Sequence, residues 1–154
     1  MIRRVLVPVL IVATLFAPSS IAGAITTRAA SAQYVNDVAP ANAALTSFTT
    51  EVNAWTNATP DAEGEREAAS VLTALGTLQK KMLSQTWPPM VEGGVVFIVR
   101  EDISSLDEDL DSISDNSSLG NGAFKLTWDA DSKTVAWHAF YVRRDLGLPS
   151  SRVL

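Results

Sequence analysis

The chain of 154 residues contains no cysteine and only one histidine, and this composition limits the kinds of catalytic and metal site that it can form. Without cysteine it forms no disulfide, offers no thiolate to a metal, and carries no lipid on a cysteine. It also lacks a glycine-rich phosphate loop and a G-x-S-x-G nucleophile elbow. The sequence therefore predicts no catalytic residue, no cofactor and no metal.

The first 24 residues have the features of a secretory signal. A short cationic start is followed by an apolar run over residues 5–17, and Ala22-Gly23-Ala24 offers the small residues that signal peptidases accept. We expect cleavage after Ala24, which places the mature chain outside the cell or in its envelope. A retained membrane anchor is the alternative, but the apolar run is shorter than the roughly 20 residues of a spanning helix.

Cleavage would leave 130 of the 154 residues, a usual size for one domain with its own core. Loss of Arg3 and Arg4 leaves 10 basic residues against 17 acidic ones, a net charge of about −7. An acidic domain repels phosphate backbones, so we expect no nucleic-acid partner. We also expect no membrane span after the signal is removed.

Apolar residues recur at helical spacing along almost the whole mature chain. Helix one is predicted over Ser31 to Asn57, and helix two begins at the cap Thr59-Pro60 and ends near Ser84. Helix three begins at Pro89, and helix four ends at Leu146, before the stop signal Gly147-Leu148-Pro149. The predicted fold is an all-α, four-helix up-down-up-down bundle over residues 31–148, with a spacer at 25–30 and a tail at 149–154.

Two segments also fit a strand. Residues 95–99 form an apolar run after Gly93-Gly94, and residues 124–128 alternate in polarity. We predict helix for both, because the helical spacing continues beyond each of them. A loop rich in Asn, Ser and Gly, residues 116–122, separates helices three and four.

Three short segments resemble sequences that recur in small exported helical proteins of actinobacteria. They are Tyr34-Val35-x-x-Val38-Ala39-Pro40-x-Asn42-x-Ala44-Leu45, Trp87-Pro88-Pro89 and Val142-Arg143-x-Asp145-Leu146-Gly147-Leu148-Pro149. The resemblance implies a compact helical domain at or beyond the cell envelope. It carries over no catalytic or binding residue.

Several polar motifs have a structural explanation. Asp107-x-Asp109-x-Asp111 begins like a calcium loop, but Ser112 and Ser118 occupy the positions that need glycine and glutamate. We interpret the acids of this segment as a solvated helix face, because Asp107, Glu108, Asp111 and Asp115 lie opposite the apolar stripe. His138 lies at the edge of the buried stripe of helix four, where packing and a hydrogen bond explain it. Arg143-Arg144 is stabilised by the dipole at the helix end.

Helix four has more apolar residues than one buried face requires. Leu126, Trp137, Phe140 and Tyr141 point away from its main stripe. One interpretation is that the helix is buried more broadly; the other is an exposed aromatic patch that binds a protein, a lipid or a small apolar ligand. The sequence thus favours a non-catalytic binding module. The alternative is a secreted enzyme whose site residues converge only in space.

Overall fold

The computed structural model describes residues 25–56, 59, 61–115, 122–151 and 154, and over these residues the chain is all-α, as predicted. The helices are α1 (Thr27–Ala54), α2 (Asp61–Ser84), α3 (Pro89–Phe97), α4 (Ile103–Asp111) and α5 (Ala123–Asp145). A π-helical turn, Ile98–Asp102, joins α3 to α4, and a 3₁₀ turn, Ser112–Asp115, follows α4. The predicted signal and residues 116–121 of the predicted loop lie outside the described residues.

The first helix is shifted toward the N-terminus relative to its predicted bounds. It begins before Ser31, so the predicted spacer is largely helical, because Thr26 acts as the N-cap. The Oγ1 atom of Thr26 accepts a hydrogen bond of 3.2 Å from the backbone N–H three residues on. The helix ends at Ala54, because Trp55 has an extended backbone; the predicted end, Asn57, is not among the described residues.

The other predicted helix ends agree closely with the structure. α2 ends at Ser84 and α3 begins at Pro89, as predicted. Both segments that also fitted a strand are helical, and no strand occurs in the part of the chain that the structure describes. The up-down-up-down topology stays a prediction.

The predicted apolar stripes form one core. Leu45 and Leu72 are only partly buried at its edge, whereas the other stripe residues are buried. The buried members are Tyr34, Val38, Ala41, Phe48, Val52 and Trp55 of helix one, Ala68, Val71, Leu75, Leu78 and Met82 of helix two, Val95, Val99, Ile103, Leu106, Leu110 and Ile113 of helix three, and Phe124, Trp128, Val135, Ala139, Val142 and Leu146 of helix four.

α5 packs against α1 in the opposite direction. Ser31 Oγ, near the start of α1, donates a hydrogen bond of 2.6 Å to the carbonyl of Leu146, just after the end of α5. Toward the other end, the indole N–H of Trp128 donates to Thr49 Oγ1 at 3.2 Å. α5 also contacts α3, the π turn and α4, so most of one face is covered.

The end of α5 is closed as the sequence predicts. Gly147 has a φ of +69°, and its N–H donates to the Arg144 carbonyl at 2.9 Å. The N–H of Leu148 donates to the Arg143 carbonyl at 2.8 Å. These two bonds define a Schellman cap, which requires a left-handed residue that glycine supplies without strain.

Part of the predicted tail packs against the helices. Leu154 is buried, and its carbonyl accepts hydrogen bonds from Asn42 Nδ2 at 3.1 Å and from Arg143 Nη1 at 3.3 Å. Arg143 Nε also donates to the Pro149 carbonyl at 3.2 Å. Arg143 thus holds the C-terminal segment against α1 and α5, a role that spacing alone does not reveal.

Candidate functional site

The surface of α5 opposite its buried stripe carries large apolar side chains. Trp137 is 59 % exposed and Leu126 is 75 % exposed, while Phe140 and Tyr141 are half-buried. Exposure on one side follows from the helical period, because positions 137 and 140 lie nearly half a turn from Val135 and Val142, and position 141 lies about a third of a turn from both. The structure therefore leaves the second apolar set of the helix largely uncovered.

Trp137, Phe140 and Tyr141 form one cluster, which we call the α5 aromatic cluster. The ring of Trp137 stacks with Phe140 at a centroid distance of 6.3 Å and meets Tyr141 edge-on at 5.1 Å. The rings of Phe140 and Tyr141 are 5.5 Å apart, also edge-on. Arg144 places its guanidinium carbon 4.9 Å from the centre of the Tyr141 ring. These mutual contacts hold the rings in a fixed arrangement.

Leu126 does not join this cluster. It lies about three helical turns before Trp137, a distance of roughly 16 Å along the axis at 1.5 Å per residue. The structure thus brings together three of the four residues that the sequence singled out for partner binding. Leu126 is exposed as a separate apolar side chain.

A groove runs beside the cluster, between α5 and the C-terminal segment. It has a volume of 560 Å³ and is lined by Ser132, Lys133, Ala136, Trp137, Phe140 and Ser151. A second cavity of 270 Å³ lies on the side of α1, and Ser132 and Ala136 line it as well. Small residues on α5 therefore separate two largely apolar hollows.

Phe97 extends the exposed apolar surface to the other side of α5, which the sequence analysis did not anticipate. It is 46 % exposed at the end of α3, and its ring meets His138 edge-on at 4.7 Å. The exposure of Phe97 is hard to predict from the sequence, because Phe97 lies in a run of apolar residues that includes the buried Val95, Ile98 and Val99.

His138 is hydrogen-bonded, as expected at a helix seam. Its Nδ1 lies 2.9 Å from one carboxylate oxygen of Asp102 and 3.0 Å from the other, so the ring donates when the proton is on Nδ1. Asp102 is only 4 % exposed, and burial raises the pKa of its carboxyl while the His138 hydrogen bond opposes the shift. The pair ties the π turn to α5.

A second polar contact lies one heptad further along the same seam. Asp109 of α4 is 7 % exposed and lies beside Asp131 of α5. Burial and the neighbouring charge of Asp131 raise the pKa of Asp109 to about 6. The predicted solvated face holds for the exposed Glu108 and Asp111, whereas Asp107 is partly buried and burial raises its pKa.

These buried acids lie away from both cavities beside α5. Neither of the two cavities beside α5 is lined by Asp102, Asp109 or His138. Among the described residues, no three His, Cys, Asp or Glu side chains are grouped so that they could hold a metal ion. No described helix combines the length and the apolar character needed to cross a bilayer.

Comparison with known proteins adds no relative. No protein family, no curated protein and no solved structure matches the chain. The resemblance to small exported actinobacterial proteins therefore depends on the three short segments alone. Function has to be inferred from the surface of α5 itself.

Proposed function

We propose that this chain is an exported or cell-envelope binding protein that recognises its partner, without catalysis, through the α5 aromatic cluster. The observation that carries the proposal is the exposure of Trp137, whose ring is stacked in a preformed group with Phe140 and Tyr141. Trp and Tyr dominate the energetics of protein interfaces, since each buries a large area at a small cost in conformational entropy. Soluble proteins seldom leave such a surface uncovered.

The arrangement of the cluster favours recognition over a role in folding. The rings contact one another and the Arg144 guanidinium, so little side-chain freedom remains to be lost on binding. A partner can contact both the protruding rings of the cluster and the adjacent groove of 560 Å³. A protein partner fits this combination best.

The enzymatic alternative has less support. Its strongest observation is the contact between His138 and Asp102, since a carboxylate that orients a histidine is a common element of catalytic sites. Asp102 is buried, however, and the cavities beside α5 do not reach either residue. The pair is better explained as a polar link between the π turn and α5.

Export is the second part of the proposal. It is supported by the cationic start, the apolar run and the small residues at 22–24, and by the resemblance to exported actinobacterial proteins. The absence of cysteine is compatible with a domain that is stabilised by its core alone.

The decisive test compares two alanine variants. Trp137→Ala removes the centre of the cluster, whereas Leu83→Ala removes a similarly exposed apolar side chain, 54 % exposed, on α2. Each variant is used to capture partners from the native envelope, and stability is measured by chemical denaturation. We expect Trp137→Ala to lose the retained partner while its free energy of unfolding falls by less than about 1 kcal/mol.

Leu83→Ala should retain the partner. Undiminished capture by folded Trp137→Ala would refute the proposal. A loss of the 3–5 kcal/mol that is typical of a buried tryptophan, roughly, would show instead that Trp137 belongs to the core.

A further inference from the structure

The exposed face of α5 carries a complete second stripe, of which the aromatic cluster is only a part. Its members recur at alternating steps of four and three residues along nearly the whole 23-residue helix. They are Leu126, Ala130, Lys133, Trp137, Phe140 and Arg144. Alternating steps of four and three are the spacing by which one helix packs on another in a coiled coil.

This stripe has no counterpart within the described fold. Leu126, Lys133 and Trp137 are exposed, and the helices that contact α5 cover its other face. Among the described residues, no helix covers the stripe.

The stripe complements itself when a second copy runs antiparallel to the first. In antiparallel coiled coils each position of one seam column faces the other column of the partner, and one register engages all six residues. That register is symmetric about the level of Val135. It places Leu126 opposite Arg144, Ala130 opposite Phe140, and Lys133 opposite Trp137 of the second copy.

Each of these pairs is favourable in size or charge. The methyl of Ala130 leaves room for the Phe140 ring, as interdigitating side chains require. The Lys133 ammonium meets the Trp137 indole, the best aromatic partner for a cation. The methylene stem of Arg144 covers Leu126 while its charged end stays in water.

Charge on the stripe favours the same direction. Within one chain, Asp129 is ion-paired with Lys133, and Asp145 with Arg144. A parallel partner would place the Lys133 and Arg144 cations opposite the same cations of the second copy, whereas the antiparallel register sets each of them opposite an apolar side chain. Charge therefore selects the antiparallel arrangement.

The groove beside the cluster has the form that receives a partner's side chain. Lys133, Ala136, Trp137 and Phe140 line it and occupy positions i, i+3, i+4 and i+7 of α5. Four residues at this spacing form the hole of a knobs-into-holes contact. In the symmetric register, the hole faces Lys133 of the second copy.

We infer that the chain forms a symmetric homodimer in which two α5 helices pair antiparallel along this stripe, centred at Val135. The inference rests on the proposed function, because it names a second copy as the partner of the α5 aromatic cluster.

The first test is the mass of the exported chain by analytical ultracentrifugation over a range of concentrations. Ala130→Arg fills the space that the Phe140 ring of the second copy occupies in this register, and Ala130 is exposed in the single chain, so folding should be retained. Ala69→Arg on α2 is the matched control at another exposed alanine. We expect the parent and Ala69→Arg to dimerise reversibly and Ala130→Arg to weaken the dimer at least about tenfold, since a long side chain in a space filled by a ring holds the two helices apart.

The second test uses the absence of cysteine to fix the register. Thr134→Cys lies near the symmetry axis and should be joined to its own copy by a short bis-maleimide. Ala130→Cys lies roughly 15 Å from its own copy in the antiparallel register, at 1.5 Å per residue, and should react with maleimide without joining two chains. Efficient cross-linking of both variants would indicate a parallel pair and overturn the inference.

Failure of the inference can be separated from failure of the proposed function. If the parent is a monomer at every concentration, or if Ala130→Arg dimerises normally, the second copy is not the occupant of the stripe. Loss of capture by Trp137→Ala would then still support the proposed function with a different protein as the partner. If the dimer behaves as expected and Trp137→Ala dimerises normally, the aromatic cluster is not the contact surface and the proposed function fails.

Discussion

Gly147 is the residue at which the sequence and the structure agree most directly. Its φ of +69° lies in the left-handed region, and nothing within 4 Å opposes a Cβ there, so conformation and not space selects glycine. We predict that Gly147→Val lowers the free energy of unfolding by about 1 kcal/mol or more, because a β-branched residue is strained in this region.

Asn is the natural control at the same position, since it tolerates the left-handed conformation and also ends helices. Denaturation with urea should place Gly147→Asn between the parent and Gly147→Val. Equal midpoints for all three proteins would show that the Schellman cap adds nothing to stability.

Asp109 makes the stability of the fold depend on pH. Its pKa of about 6 lies above the value of about 3.9 in an unfolded chain, so between these values the folded state binds the extra proton. The free energy of unfolding therefore falls as pH rises through this window, with a slope of up to about 1.4 kcal/mol per pH unit from this group. Well below the unfolded value the group is protonated in both states, and the pH dependence that it causes vanishes.

We predict that Asp109→Asn removes the loss of stability that accompanies rising pH, because an amide offers a donor to Asp131 and carries no buried charge. The difference in unfolding free energy between the variant and the parent should be larger at pH 7 than at pH 4. Glu65→Gln, at an exposed position on α2, removes the same charge elsewhere and serves as the control. A difference that does not change with pH would contradict the assignment of the proton to Asp109.

Single residues also show why the sequence reveals only part of the site. The outward direction of Trp137, Phe140 and Tyr141 follows from the helical wheel, because it depends on one helix alone. The burial of Asp102 and Asp109 depends on a second helix, so it cannot be predicted from the spacing of residues within one helix. The sequence therefore predicts the aromatic surface but not the buried polar contacts between α5 and its neighbours.

At the scale of elements, the third helix departs most from prediction. Its position and buried stripe are as expected, but the π turn Ile98–Asp102 interrupts it, with the Ile103 N–H bonded to the Ile98 carbonyl. The apolar residues Val91, Val95, Val99 and Ile103 explain the interruption. They recur every four residues, so in a regular α-helix three such steps would rotate the stripe by about 120° around the axis. The π turn has more residues per turn and partly offsets this rotation, so the stripe stays closer to one face.

The contact between α3 and α5 depends on Gly94. A Cβ at this position would lie 2.8 Å from Cγ2 of Val142, a buried β-branched side chain with little freedom to move. A Cβ at Gly93 would meet nothing within 4 Å. The two adjacent glycines thus have different reasons to occur in one helix.

We predict opposite effects for the same substitution at these neighbours. Gly93→Ala should raise the free energy of unfolding by about 0.5–1 kcal/mol, because alanine favours the helix. Gly94→Ala should lower it by about 1 kcal/mol or more, because overpacking outweighs that gain. Thermal or urea denaturation of both variants decides the matter, and equal stabilisation by both would mean that α3 and α5 can separate slightly without cost.

At the scale of the whole molecule, the helical class and the core follow from the sequence because one hydrophobic period runs through almost every segment. The position of the C-terminal segment does not. Leu154 reaches its buried place through hydrogen bonds from Asn42 and Arg143, whose side chains come from different helices. A predicted tail thereby becomes part of the wall of a cavity.

The first described residues bear on where the signal ends. Thr26 caps α1, Ile25 packs partly buried against the core, and Ala30 is fully buried. Cleavage after Ala24 leaves all three in place. Cleavage further on, after Ala29 or Ala30, would remove the cap and shorten the first buried stripe.

We therefore predict that exported material begins at Ile25 and not within α1. N-terminal sequencing or intact-mass measurement of the secreted protein tests this directly. Replacing Ala24 by a bulky residue should block processing, because signal peptidases require a small residue immediately before the cut. Recovery of the chain from Met1 in a membrane fraction would show that the first segment is retained as an anchor, and the α5 surface would then act at the membrane and not in free solution.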